Sequence, residues 1–329
     1  MKKIVLFFIL FSAVLAAIVT LSLFRTVDVP TTSIKIMRGE TAGMIATKLH
    51  EQGIIRNRDI FYIYVKFSRS ATELSYGNYL FEGRLSLLDV HKKLTSGDVI
   101  LHKVTIPEGL TVKKTAELLA AKNIGELDEF LKLGNDPEFA KKLTGFEINS
   151  LEGFLYPETY HFPSEATEAF ILTHMVKQYF SATSNINFKP LPNLDYYQTI
   201  IMASIVECEA KYVAEQPTIA SVYLNRVEQK MKLQADPTVK YVLEQAGKTR
   251  KKIYYRDLEV DSPYNTYKYE GLPPTPICSP SLSAIEAVLN PAVTDYFFFF
   301  AGKDGRHIFS QTYSQHLSKQ REYKRANGR

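Results

Sequence analysis

Apolar positions change their spacing several times along the chain, and each change predicts an element. From Ile4 to Phe24 the residues are uncharged and almost wholly apolar. As a helix rising ~1.5 Å per residue, that stretch crosses a hydrocarbon core of ~30 Å. Ser33 to Met37 then alternates as a strand does and Arg38-Gly39-Glu40 supplies a turn. Thr41 is placed to cap a helix that carries Ile45 and Leu49 and stops at Gly53. The same strand–turn–helix text returns around Gly109, where Thr111, Ala116 and Leu119 keep the offsets of Thr41, Ala46 and Leu49 from Gly39. It returns more loosely around Gly83, with Ser86 and Leu94. Leu118 to Phe146 is polar and helix-like, as expected of a connector. Beyond Leu151, tyrosine, proline and polar motifs become dense, and two helices stand out. The first runs from about Tyr196 to Ala210, with Ile200, Ala203, Ser204 and Cys208 near one face; the second follows Gln216-Pro217, Pro217 suiting its first turn.

Together these elements predict an α+β protein. The expected parts are a cytoplasmic tail over 1–3, a single transmembrane helix over 4–24, a linker over 25–32, and a small α+β module over 33–98. A second small module with its connector then covers 99–146, and a larger α+β domain covers 147–329. Lys2 and Lys3 precede the apolar run, so the N-terminus is expected inside and everything after Arg25 outside the cytoplasmic membrane. A cleaved signal peptide is the rival, because Ala13, Ala16 and Ala17 are small enough to precede a cleavage site. The apolar run continues well past them, which favours a retained anchor. No later segment is long enough to span, Tyr296 to Ala301 being too short, so a single pass is expected.

Composition narrows the field. The chain has 329 residues, 45% of them apolar, and a net charge of +5. Its basic residues are scattered apart from Lys248 to Lys252 and the C-terminal tail, so nucleic acid is not implied. A mildly basic surface is attracted to anionic lipid headgroups or an anionic wall polymer, without identifying either. Cys208 and Cys278 are too far apart for a Cys-x-x-Cys motif and the histidines form no ligand pair, so no metal is expected. The two cysteines read as buried free thiols or, in an oxidising compartment, as a pair.

Candidate chemistry lies at the end of the first long helix. Ala203-Ser204-Ile205-Val206-Glu207-Cys208-Glu209-Ala210 sets two carboxylates among apolar neighbours, where burial raises a carboxyl pKa toward the range a general acid needs. Positions i and i+2 point about 200° apart on a helix, so only one of the pair reaches a substrate. The plain alternative is a solvated helix end. Polar motifs surround this octapeptide. Leu151-Glu152-Gly153-Phe154-Leu155-Tyr156-Pro157-Glu158-Thr159-Tyr160 lies upstream. Downstream come Ser221-Val222-Tyr223-Leu224-Asn225-Arg226, Leu233-Gln234-Ala235-Asp236-Pro237-Thr238, Ser262-Pro263-Tyr264-Asn265-Thr266-Tyr267 and Gly271-Leu272-Pro273-Pro274. Amides, hydroxyls and tyrosine rings hydrogen-bond sugar hydroxyls and stack on pyranose faces, but singly each motif is also an ordinary turn.

In this order the motifs resemble the endolytic murein transglycosylase family, the MltG or YceG-like proteins. The resemblance runs from the apolar N-terminus to His316, with two departures: Cys208 stands where the family usually has lysine, and Arg306 where it tends to have glycine before the histidine matched by His307. The short units with glycine turns before helices resemble wall-binding LysM modules, a plain packing repeat being the alternative, and the family resemblance implies a catalytic domain over 147–329 and cleavage of peptidoglycan glycan strands between N-acetylmuramic acid and N-acetylglucosamine with 1,6-anhydromuramyl ends. It makes Glu207 the catalytic residue and Glu209 a supporting one. Glu152, Asn225, Gln234, Asp236, Tyr264, Asn265, Thr266 and Tyr267 become candidates for the glycan cleft. It also implies no metal or other cofactor, anchorage in the cytoplasmic membrane, and action on nascent strands beside peptidoglycan synthases. A hydrolytic muramidase, with Asp236, Glu209 or Glu152 as second carboxylate, is one alternative. A non-catalytic wall-binding scaffold is another.

Overall fold

The computed structural model describes residues 10, 20–188, 194–248, 250 and 252–327. Most of the apolar run over 4–24 lies outside these; Leu10 and residues 20–24 are helical. Five helical residues rise only ~7 Å, and among the described residues no helix is long and apolar enough to cross a membrane. The transmembrane helix of the expected fold is therefore not found, and the α+β class holds without it. The chain divides into two compact units, Met1–Lys103 with His161–Ala166, and Val104–Tyr160 with Thr167–Arg329.

In the first unit, β1 (Val27–Ile36) pairs antiparallel with β2 (Gly77–Leu85), Val27 opposite Leu85 and Ile36 opposite Gly77. The stretch expected to be a linker over 25–32 thus belongs largely to a strand. Its proline is accommodated because the register slips between Val29 and Thr32, and Pro30, having no N–H to give a ladder, sits in that irregularity. Helix α1 (Ala42–Glu51) starts as expected, with Thr41 Oγ1 accepting from the Met44 N–H. Asn57 caps α2 (Arg58–Phe67), and Ser86 with Asp89 forms a capping box on α3 (Leu87–Ser96). Ile34, Ile36, Ile45, Leu49, Phe61, Val65, Tyr79, Phe81, Val90 and Leu94 form the core between the sheet and these helices. Each large apolar side chain buried there contributes about 1.5–3 kcal/mol.

The second unit opens with the third copy of the repeat. The strands β3 (Leu101–Thr105) and β4 (Thr159–Pro163), which pair with each other, each run across the division of the chain, and within the second unit Thr111 Oγ1 accepts from the Lys114 N–H to start α4 (Val112–Ala121), with Ala116 and Leu119 buried. The expected connector folds as α5 (Leu127–Gly134) and α6 (Pro137–Thr144). After α7 (Glu168–Thr183) comes α8 (Tyr196–Glu209), started by an Asp195–Gln198 capping box and buried on every side from Thr199 to Val206. A helix apolar all round belongs at the centre of a core. Packed around α8 are α9 (Gln216–Glu228), α10 (Asp236–Gln245) and α11 (Leu282–Leu289). A hairpin of β5 (Phe298–Ala301) and β6 (His307–Ser310) precedes α12 (Tyr313–Ala326).

Two backbone devices bring distant motifs to the end of α8. The Ile277 N–H donates to Ser204 Oγ at 3.0 Å, the Gly109 N–H to the Ser279 carbonyl at 3.0 Å, and the Ser279 N–H to the Leu110 carbonyl at 2.8 Å. Gly153 has φ +89°, and a Cβ there would lie 2.6 Å from Pro276 Cγ, so only glycine allows this approach.

Candidate active site

Two cavities of about 520 and about 600 Å³ open beside the C-terminal end of α8. Glu209, Asp236, Lys252 and Ile253 line both, which makes them two halves of one cleft. Lys114, Lys240, Tyr241 and Glu244 face the first half; Tyr223, Arg226, Gln234, Tyr254 and Tyr267 face the second. The volumes suit a small organic ligand, and the mixture of phenols, amide and charges suits a polyhydroxylated one.

The two glutamates of α8 diverge, as their spacing requires. Glu209 faces the cleft; its Oε2 accepts from the Tyr223 hydroxyl at 3.3 Å and its Oε1 lies 3.9 Å from His307 Nε2. Only 17% of its side chain is exposed. Burial, reinforced by the neighbouring Asp236 charge and opposed by the Tyr223 bond, pushes its carboxyl up to about 7. Glu207 turns toward α11 instead. Its Oε2 accepts from the Ser281 N–H at 3.0 Å and from the Ser281 hydroxyl, and Ser281 is the N-cap of α11. Its Cγ would lie 3.9 Å from a Cβ at Gly109, and it lines neither cavity.

The other sequence candidates separate into lining and scaffold. Asp236 and Tyr267 line the cleft and are joined, the Tyr267 hydroxyl donating to Asp236 Oδ1 at 2.6 Å. Gln234 lines it from a left-handed backbone with φ +50°, its N–H bonded to the Thr266 carbonyl at 3.1 Å. Glu152 lies behind the first half, 3% exposed, accepting from the Val112 N–H at 3.1 Å and the Tyr241 hydroxyl at 3.4 Å. Burial drives its carboxyl up to about 8 against both bonds and the Lys114 charge. Tyr264 supports Tyr241, with ring centroids 5.1 Å apart, and bonds Thr275. Asn225, Asn265 and Thr266 hold loops and do not line the cleft. Asn225 Nδ2 donates to the Thr294 and Tyr296 carbonyls, Asn265 Nδ2 to the Leu258 and Val260 carbonyls, and Thr266 Oγ1 accepts from the Ala235 N–H.

The YceG-like family model matches residues 34–322. The chain belongs to the YceG-like family. Among YceG-like relatives, a Bacillus subtilis (strain 168) protein named endolytic murein transglycosylase is 34% identical over 310 residues, which cover 89% of this chain and 85% of that one. A Streptococcus pneumoniae (serotype 2, strain D39) protein of the same name is 28% identical over 86% of this chain, and the match spans 57% of its length. The crystal structure of a yceG-like protein from Listeria monocytogenes aligns with TM-score 0.60 at 34% identity, covering 88% of this chain and 99% of that one.

Sequence reading passed over several residues that this YceG-like site uses. Glu215 Oε2 lies 2.8 Å from His307 Nδ1, and the His307 side chain is 3% exposed between Glu215 and Glu209. Tyr223 orients Glu209, and Ser281 holds Glu207 from 74 residues away. Arg226, named only as part of Asn-Arg, donates to the Phe297, Lys232 and Leu233 carbonyls. No local pattern marks Glu215 or Ser281; their roles depend on the packing of β6 and α11.

Proposed function

We propose that this chain is an endolytic lytic transglycosylase, an enzyme that cleaves the β-1,4 bond from N-acetylmuramic acid to N-acetylglucosamine within peptidoglycan strands and leaves 1,6-anhydromuramyl ends. The observation that carries the mechanism is Glu209, a largely covered carboxyl near neutrality at the meeting point of both cleft halves. On this reading Glu209 is the catalytic carboxyl, and Glu207, the residue expected in that role from the sequence, is a positioning residue that fastens α8 to the cap of α11.

In its protonated form Glu209 donates to the glycosidic oxygen, and the bond to the muramyl anomeric carbon breaks. As a carboxylate it then takes the proton of the muramyl 6-hydroxyl, whose oxygen closes on that carbon. No water is consumed and the glutamate is regenerated. The chemistry as written draws on no metal or organic cofactor. The Tyr223 bond aims the carboxyl, and the Tyr267–Asp236 pair sets negative charge beside the carbon that becomes cationic.

The first unit, with its repeated strand–turn–helix motifs, is proposed as a LysM-like module that rests on the wall polymer. Action is proposed at the outer face of the cytoplasmic membrane on nascent strands beside peptidoglycan synthases, supported by the uncharged apolar sequence of residues 4–24. Cell fractionation tests this: recovery in the cytosol would overturn it. Mass spectrometry of glycan products tests the reaction. Anhydro ends are expected. Hydrated reducing ends would instead indicate a muramidase, and wall binding with no cleavage a scaffold.

A further inference from the structure

We propose that Cys208 and Cys278 are an oxidation site, closing into a disulfide that ties the last turn of α8 to the segment carrying Ser281. Both are free thiols, Cys208 exposed and Cys278 buried, 70 residues apart in sequence. The fold brings them together. Cys208 Sγ donates to Cys278 Sγ at 3.0 Å, and Cys278 Sγ donates to the Ser204 carbonyl at 3.3 Å. A disulfide needs the sulfurs about 1 Å closer, a movement within reach of side-chain rotation.

The surroundings favour closure over other fates of a thiol. Cys208 lines the first half of the cleft, so a small oxidant reaches it from solvent. Cys278 cannot be reached that way but is already in contact with the sulfur that would carry the oxidant. The backbone around it is held by the Ile277–Ser204 and Gly109–Ser279 bonds, so the pair is presented in a fixed arrangement.

The oxidant is a disulfide, either a small molecule or the active disulfide of an extracytoplasmic oxidase. The Cys208 thiolate attacks one of its sulfurs and expels a thiolate, leaving a mixed disulfide. The Cys278 thiol then attacks the Cys208 sulfur and expels the second thiolate, which takes up the Cys278 proton as it leaves. Two cysteine thiols are oxidised and one disulfide is reduced to two thiols.

Because the new bond closes a loop of about 70 residues, it restricts the unfolded chain and raises the melting temperature by about 5–10 °C. The test uses the purified full chain, reduced and then exposed to oxidised glutathione. The expected product has an intact mass about 2 Da below the reduced protein and no retained glutathione. A Cys208–Cys278 cross-linked peptide is expected, with the rise in melting temperature reversed by dithiothreitol. Cys278→Ser is expected to retain glutathione on Cys208. Glutathione held by the parent protein while Cys278 accepts an alkylating agent once the chain is denatured would overturn the proposal, as would a cross-link that leaves the melting temperature unchanged. No readout depends on glycan cleavage, so the result is independent of the proposed function.

Discussion

The two units bury polar groups differently. In the first, the buried polar residues among those described are Ser70, bonded to His91 Nε2 at 2.7 Å, and Ser86, bonded to the Asp89 N–H, while the Glu40 side chain is covered beside Lys48. In the second, Glu152, Arg226 and Asp257 are buried, and Glu209 is largely covered. A charged group removed from water costs several kcal/mol unless neutralised or fully bonded. The second unit bears that cost at several residues around the cleft, the first at one carboxylate, Glu40, 8% exposed and paired with Lys48. The first unit is held mainly by apolar packing, with Glu40 its one covered carboxylate among the described residues; the second gives up stability to hold several titratable groups in place.

The largest test of this contrast is at α8. Glu209→Gln is expected to lower anhydromuramyl product formation about 10³-fold, the range for loss of a general acid, while Glu207→Gln lowers it about tenfold through looser seating of α8. Product mass spectrometry at matched protein concentration reads both. A Glu207→Gln variant that is dead while Glu209→Gln stays active would return the catalytic role to Glu207.

Next in size is Arg226. Its guanidinium donates to the Phe297 carbonyl at 2.7 Å and to the Leu233 carbonyl at 2.8 Å, joining the hairpin to the loop before α10. Arg226→Met keeps the volume but strands these carbonyls, and is expected to cost about 3 kcal/mol in chemical denaturation. A loss below about 1 kcal/mol would mean that the second unit does not depend on buried charge.

Such arrangements were only partly legible in the sequence. The caps Thr41, Ser86 and Thr111 were readable because a cap is a local arrangement, fixed within a few residues. The central helix was readable because its apolar run is long. Which of Glu207 and Glu209 faces the cleft was not, since Ser281, far along the chain, binds one of them. Nor could the motifs separate Asp236 and Tyr267, which line the cleft, from Asn225 and Asn265, which hold carbonyls: an amide that binds a sugar and one that binds a loop have the same donors. Pro30 suggested a linker because proline breaks ladders, yet the register shift around it keeps the strand.

The buried carboxyls also predict a pH dependence with a definite sign. Burial raises Glu152 from an ordinary 4.5 to about 8 and Glu209 from 4.5 to about 7. Between about pH 4.5 and 8 the folded protein therefore binds more protons than the unfolded chain, and stability falls as pH rises through that window. Glu152→Gln retains an acceptor for the Val112 N–H without the ionisation. It is expected to flatten the decline, gaining about 1–3 kcal/mol on the parent between pH 5 and pH 8. Parallel curves for parent and variant would remove Glu152 as the cause.

The smallest effect belongs to the first unit. Lys35 Nζ lies 2.6 Å from Glu165 Oε2, with 49% and 30% of the two side chains exposed. Water already solvates both charges, and ordering two long side chains costs entropy that offsets the attraction. Lys35→Ala is expected to change stability by less than about 0.5 kcal/mol, with even that difference fading at 0.5 M salt. A salt-resistant loss of 2 kcal/mol or more would show that the first unit relies on its exposed charges as well as on its packing, and the contrast between the units would then lose its energetic basis.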